Sequence, residues 1–178
     1  MVRNFAAIAL GQRAFGESYL QEALAKREGL DCPDCQWHFI GPLQSNKTAP
    51  VAAAFDWVHS LDREKIARRL NDQRPTGLPP LNVCLQFNVS DEASKSGIRA
   101  PDLAALAGIV GALPRLRLRG LMAIPRPSDD LAHQRDAFRR VHEALEGLNA
   151  AGFALDTLSM GMSGDYPAAI AAGASRRL

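Results

Sequence analysis

The sequence predicts an α/β protein built on a parallel sheet, and three observations predict it. Short runs rich in Val, Ile, Phe and Leu recur along the chain, longer segments of helical period separate them, and Gly, Pro and polar clusters mark the junctions. Six strands are expected, over 12–16, 37–41, 57–61, 82–89, 118–124 and 157–162, each followed by a helix. Six such units fit an open doubly wound sheet, or a barrel of eight from which two units are absent. Periodicity does not choose between them.

The elements follow in order. The helix over 19–30 carries Leu20, Ala23, Leu24 and Leu30, with Gly29 as its stop. A second helix begins after Pro42, and Pro50 would kink it if it lay past the first turn. Asp62 is expected to cap a helix running to about Asn71, its carboxylate taking the N–H of Glu64 or Lys65. A Pro-rich linker over 74–80 feeds the fourth strand. Pro101 sits where a first helical turn needs no N–H, so a helix over 102–113 follows, and Pro114 ends it. The longest helix is expected over 131–151 and the last over 165–172, with Pro167 in its first turn. No internal repeat or low-complexity segment is visible, so 1–178 reads as one domain.

Composition narrows the function classes. The chain has 178 residues, 47% of them hydrophobic and 22% charged, the balance of a soluble globular protein. A net charge of +2 is too small to argue for a nucleic-acid partner. No stretch approaches the ~18 consecutive apolar residues of a membrane span, and 1–10 lacks a leader-type apolar run. Three cysteines fit a reducing, cytoplasmic setting.

Several stretches could carry chemistry. Over 157–165, an apolar strand ends in a Gly/Ser turn that opens into a helix, which is anion-binding geometry. Gly161 and Gly164 would let the backbone approach a ligand and Ser163 would donate its hydroxyl; alternatively, Ser163 caps its own helix, and Asp165 opposes an anion there. A second strand-to-helix turn over 37–47 gathers His38, Gln44, Ser45, Asn46 and Lys47, with a core histidine and a solvated lysine as the plain alternatives. Glu17, Ser18 and Tyr19 end the first strand, where Ser18 could equally cap the next helix. The polar loop 91–97 sets Lys95 between serines, to grip an anion or simply face water.

Cys32 and Cys35 have C-x-x-C spacing with His38 three residues beyond, but no second Cys pair completes a zinc set and no helix opens at the motif as a redox pair would want. Cys84 reads as a small core residue. Arg115, Arg117 and Arg119 alternate with leucines and read as a solvated strand face rather than an RNA patch.

Taken together, the segments 11–19, 37–47, 91–97, 119–125 and 158–163 resemble the YggS/PROSC family of pyridoxal-phosphate homeostasis proteins, over about 9–173. The resemblance implies a (β/α)8 TIM-barrel-like fold, similar to the N-terminal domain of alanine racemase, holding pyridoxal 5'-phosphate (PLP) at the C-terminal strand ends. It implies PLP carriage and buffering that influences amino-acid and keto-acid balance, without robust catalytic turnover, in a cytoplasmic monomer. Carried over by position, Ser163 with the backbone of Gly161, Met162 and Gly164 would receive the phosphate. Met160, His38 and Asn46 would line the pocket, and Ser18 would stand at the ring's edge, where the family usually has Asn.

Two departures qualify this. The family's Schiff-base lysine lies in a Ser-Lys-Thr-Lys-Pro-like segment that this chain does not contain, and its Arg-Ile-Gly-Thr-like segment has no counterpart in 174–178. The first and last strands of the barrel are therefore expected to be missing, PLP binding to be non-covalent and impaired, and exposed sheet edges to favour self-association. Lys47 and Lys95 are the nearby amines that could substitute. The alternatives are an alanine-racemase-like PLP enzyme, which the missing lysine disfavours, and a non-functional fragment.

Overall fold

The computed structural model describes residues 2–90 and 96–176. Six strands alternate with helices: β1 (Ala14–Glu17), β2 (Gln36–Phe39), β3 (Trp57–Leu61), β4 (Leu81–Gln86), β5 (Leu116–Ala123) and β6 (Thr157–Met160). Helix α1 (Val2–Ala9) precedes β1, and α2 (Leu20–Glu28) follows it. Next come α3 (Thr48–Ala54), α4 (Glu64–Gln73), α5 (Leu103–Gly111), α6 (Leu131–Ala150) and α7 (Tyr166–Ala171). Helix α1 has no counterpart in the sequence expectation. Its Ala-rich segment without Gly or Pro has helical propensity, which a search for leader-like apolar runs passes over.

All strand pairs are parallel, and the sheet runs β1-β2-β3-β4-β5-β6 without reversal. A doubly wound sheet reverses its order at a switch point; sequential order is that of a barrel. The sheet also curls. His59 of β3 and Ser159 of β6 are 100 residues apart and three strands apart, yet Nδ1 and Oγ meet at 2.7 Å. The structure thus chooses the barrel alternative.

The outer face of the sheet packs on the helices through Trp37, Phe39, Val58, Val83, Leu85, Leu121 and Leu158, all in one apolar cluster. Trp57, Cys84 and Met122 form a second cluster on the inner face. The alternation of outward and inward residues is the two-residue period of a strand. Cys84 is fully buried, as expected of a small core residue.

Local details correct several expectations. Asp62 caps nothing: α4 starts after Arg63, and the Asp62 carboxylate takes the Arg63 guanidinium at 2.9 Å. Ser18 makes no cap bond either, since Tyr19 occupies the N-cap of α2. Pro50 falls in the first turn of α3, where its missing N–H costs nothing. The fourth strand stops at Gln86 instead of Val89, because the chain folds back so that Phe87 bridges Ile98. Gly97 permits this fold-back: its φ is 120°, and a Cβ there would lie 2.9 Å from the Asn88 nitrogen. In the Pro-rich linker, Arg74 is buried and donates to the carbonyls of Ala52, Phe55 and Pro79 at 2.6–2.9 Å, tying the linker to α3.

Candidate functional site

Two cavities lie against the sheet, and their charges differ. The larger, about 570 Å³, opens at the C-terminal ends of β4, β5 and β6. Gln86, Ala123 and Ile124 form its floor, and Gly161, Met162, Gly164 and Asp165 form one wall. Its lining includes the carboxylates of Asp129 and Asp165 and no cationic side chain among the described residues.

The wall is the turn singled out in the sequence. Gly161 has φ 95°, and a Cβ there would meet the Ala169 Cβ at 2.6 Å and the Tyr166 Cα at 3.3 Å. This glycine therefore serves the packing of α7 on the strand end, whereas nothing lies within 4 Å of a Cβ at Gly164. The Met162 N–H is spent on Asp165 Oδ1 at 2.6 Å. That leaves the amides of Ser163 and Gly164, which donate to no protein acceptor among the described residues. Ser163 does not cap α7, whose N-cap is Asp165.

The other sequence candidates lie apart from this wall. Met160 is fully buried below it. Asn46 and Lys47 are exposed on a 3-10 turn (Ser45–Lys47) after β2. Ser18 is exposed beyond β1, with its carbonyl where a Cβ at Gly41 would fall, so Gly41 lets these two strand ends approach. Lys95 lies outside the described residues, although Ser96 of the same loop borders the large cavity. Glu17 is committed: both its oxygens take the Lys26 ammonium, at 2.7 and 2.8 Å.

His38 points to the second cavity, about 300 Å³, beside β1 in the barrel interior. Gln12, Ala14, Gly16, His38, Ile40, His59, Ser175 and Arg176 line it, with one fixed positive charge and no carboxylate. His38 Nδ1 meets His59 Nε2 at 2.9 Å, and His59 Nδ1 meets Ser159 Oγ. Burial drives the His38 imidazole down to about 3, with further lowering from His59 and Arg176. Burial, then Arg176, brings His59 down to about 4. Both rings are neutral at neutral pH. Trp57 stacks on His38 with ring centroids 5.2 Å apart and lies under the guanidinium groups of Arg119 and Arg176, at 4.8 and 4.4 Å.

Sequence reasoning missed His59, Ser159 and Arg176. His59 and Ser159 sit at ordinary strand positions and Arg176 in an isolated bridge to Ser159, and the partners are too far along the chain for any spacing rule. Arg119 is a correction: Arg117 is exposed as expected, but Arg119 ion-pairs with Asp156 at 2.5 Å, bonds Asn82 at 3.1 Å and lays its guanidinium over the Trp57 ring. Cys32 and Cys35 are joined in a disulfide before β2, and His38 faces the barrel interior, away from any ligand set with them.

A sequential parallel sheet with its main cavity at the C-terminal strand ends is of the (β/α)-barrel class, and within that class the family model of the alanine racemase N-terminal domain matches residues 1–176. The pyridoxal phosphate homeostasis protein of Pseudomonas aeruginosa is 62% identical over 167 residues, covering 94% of this chain and 71% of that relative. The one from Escherichia coli K12 is 55% identical over 172 residues, covering 95% and 74%. The structure of PipY from Synechococcus elongatus, solved with PLP bound, superposes with a TM-score of 0.89 at 36% identity, covering 99% of this chain and 83% of that one. This chain belongs to the family of pyridoxal phosphate homeostasis proteins. These relatives carry the name of homeostasis proteins rather than of enzymes. No helix among the described residues is long and apolar enough to cross a membrane.

Proposed function

We propose that this chain binds PLP reversibly and acts in the cytoplasm as a carrier and buffer of the cofactor, without catalytic turnover of its own. The observation that carries the reading is the turn after β6. The amides of Ser163 and Gly164 donate to no protein acceptor among the described residues, the Ser163 side chain is exposed, and Gly161, Met162 and Gly164 of the same turn line a cavity large enough for a cofactor of this size. The Ser163 hydroxyl and the amides of Ser163 and Gly164 hold the phosphate; Gly161, Met162, Met160, Asn46 and Ser18 are the remaining positions the family likeness assigns, and His38, which it also assigns, faces the interior cavity instead.

When bound, the cofactor supplies an aldehyde that condenses with amines. The protein's part is to hold that group out of reach of other amines. Among the described lysines, Lys26 is held by Glu17, Lys47 is exposed on its turn and Lys65 is exposed on α4, so none is placed in the cavity wall. Holding therefore rests on amide hydrogen bonds and burial.

The experiment is a PLP titration followed by absorbance, then borohydride reduction and mass spectrometry of the peptides. The expected result is saturable binding with no labelled lysine, weakened about fivefold by Ser163→Ala, as suits one charge-assisted hydrogen bond. No binding up to about 1 mM would sink the reading. Labelling at Lys47 or Lys95 would replace the reversible carrier with a covalent one.

A further inference from the structure

We propose that the interior cavity beside β1 is a separate site for a small oxyanion, held by the His38 Nε2–H and the Arg176 guanidinium. Three observations meet there. His38 is 5% exposed, and its Nε2 has no hydrogen-bond partner among the described residues. A buried ring nitrogen left unpaired is costly, so the position favours an incoming group that pairs with it. Arg176 lines the same cavity, and its place is fixed by main-chain bonds: its N–H donates to the Leu158 carbonyl at 3.1 Å, and its carbonyl accepts from Met160 at 3.0 Å. The cavity lining holds no carboxylate, which sets it apart from the wall of the larger cavity.

The relay behind His38 decides which proton state faces the ligand. If the Ser159 hydroxyl donates to His59 Nδ1, then His59 Nε2–H donates to His38 Nδ1, and the His38 proton sits on Nε2. An oxyanion selects this state, since the reversed chain leaves Nε2 as a bare acceptor. A metal cation would need that bare nitrogen beside the Arg176 charge, so the electrostatics oppose it. Ser159 and His59 are positioning residues; His38 and Arg176 make the contacts. Small carboxylates and inorganic phosphate share the required chemistry.

The test uses the full chain with labelled histidine and NMR detection of the imidazole nitrogens, titrated separately with acetate and with inorganic phosphate. The expected result is a saturable shift of His38 Nε2 toward the protonated-nitrogen range, weakened about tenfold or more by Arg176→Gln, in keeping with loss of a charge-assisted partner. Ser159→Ala removes the donor that orients His59, so the His38 nitrogens should shift even without ligand while the Trp57 fluorescence stays native. A stronger response to acetate identifies a carboxylate site, and a stronger response to phosphate a phosphate site. No shift with either anion up to roughly 50 mM, or equal affinity in Arg176→Gln, would overturn the proposal. So would displacement of acetate from His38 by saturating PLP, because the cavity would then belong to the cofactor site.

Discussion

Acidification from pH 7.5 to 5 should cost this fold about 4 kcal/mol through its two interior histidines. In the unfolded chain a histidine titrates near 6.5, whereas in the native interior His38 and His59 are held at about 3 and about 4. The native state therefore binds fewer protons than the unfolded state over this window, and stability falls as pH falls. At pH 5 each unfolded imidazole is some 1.5 pH units below its own pKa while the native ring is still neutral, so each contributes a loss of about 2 kcal/mol. The facing groups are His59 and Arg176 for His38, and His38, Arg176 and Ser159 for His59; Cys84 in the same interior is pushed up to about 12 by burial and stays neutral. Asp62 works in the opposite sense: burial raises its carboxyl, so its contribution to stability increases as pH falls. Urea unfolding at pH 7.5, 6 and 5 measures the slope, and the His38→Gln/His59→Gln double variant removes the histidine share while keeping the Asp62 share. A wild-type slope no steeper than that of the double variant would refute the reasoning. If the variant does not fold, NMR of the wild type decides: ring protons of both buried histidines must keep their shifts from pH 8 to 5.

Two further perturbations test the packing. Gly161→Ala forces a side chain into φ 95° and against the Ala169 Cβ, so thermal melting should show a loss of about 2–4 kcal/mol; a melting temperature within a degree of wild type contradicts that packing role. Lys26→Met strips the partner from the largely buried Glu17 carboxylate and should cost about 1–3 kcal/mol in urea, a loss that Glu17→Gln in the same background should partly restore. Failure of that rescue would show that the loss came from Lys26 packing and not from the pair.

The strands were legible because each carries apolar residues at short spacing between turn or helix signals, and β3 matches its expected span at both ends. Their outer ends were less so. Where β4 and β6 meet the cavity rim, the apolar run continues past the last ladder bond, and only the fold-back at Gly97 and the packing of α7 on Gly161 decide where pairing stops. The candidate site divides in the same way. The Gly/Ser turn over 161–164 was readable because it is local. The His38–His59–Ser159 chain was not, since its members come from three strands and meet only because the sheet curls. Caps were misread where a neighbour competed: Asp62 is drawn to Arg63, and Asp165, not Ser163, takes the N-cap position of α7.

The uneven charge of the two cavities leads to a last prediction. A phosphate held only by the Ser163 and Gly164 amides sits in a lining that already carries Asp129 and Asp165, so part of its hydrogen-bond energy is offset by like-charge repulsion. Asp165→Asn removes one of those charges but keeps an amide oxygen where the carboxylate accepts from Met162, so the turn should hold its shape. Removing a unit charge from a water-accessible rim is worth about 1 kcal/mol, or about fivefold tighter binding of PLP. The gain should shrink as salt is raised, because screening weakens the same repulsion in the wild type. Affinity that is unchanged or weaker in a folded Asp165→Asn protein would mean that the phosphate does not lie at this turn. The positively charged interior cavity would then be the better place to look for it.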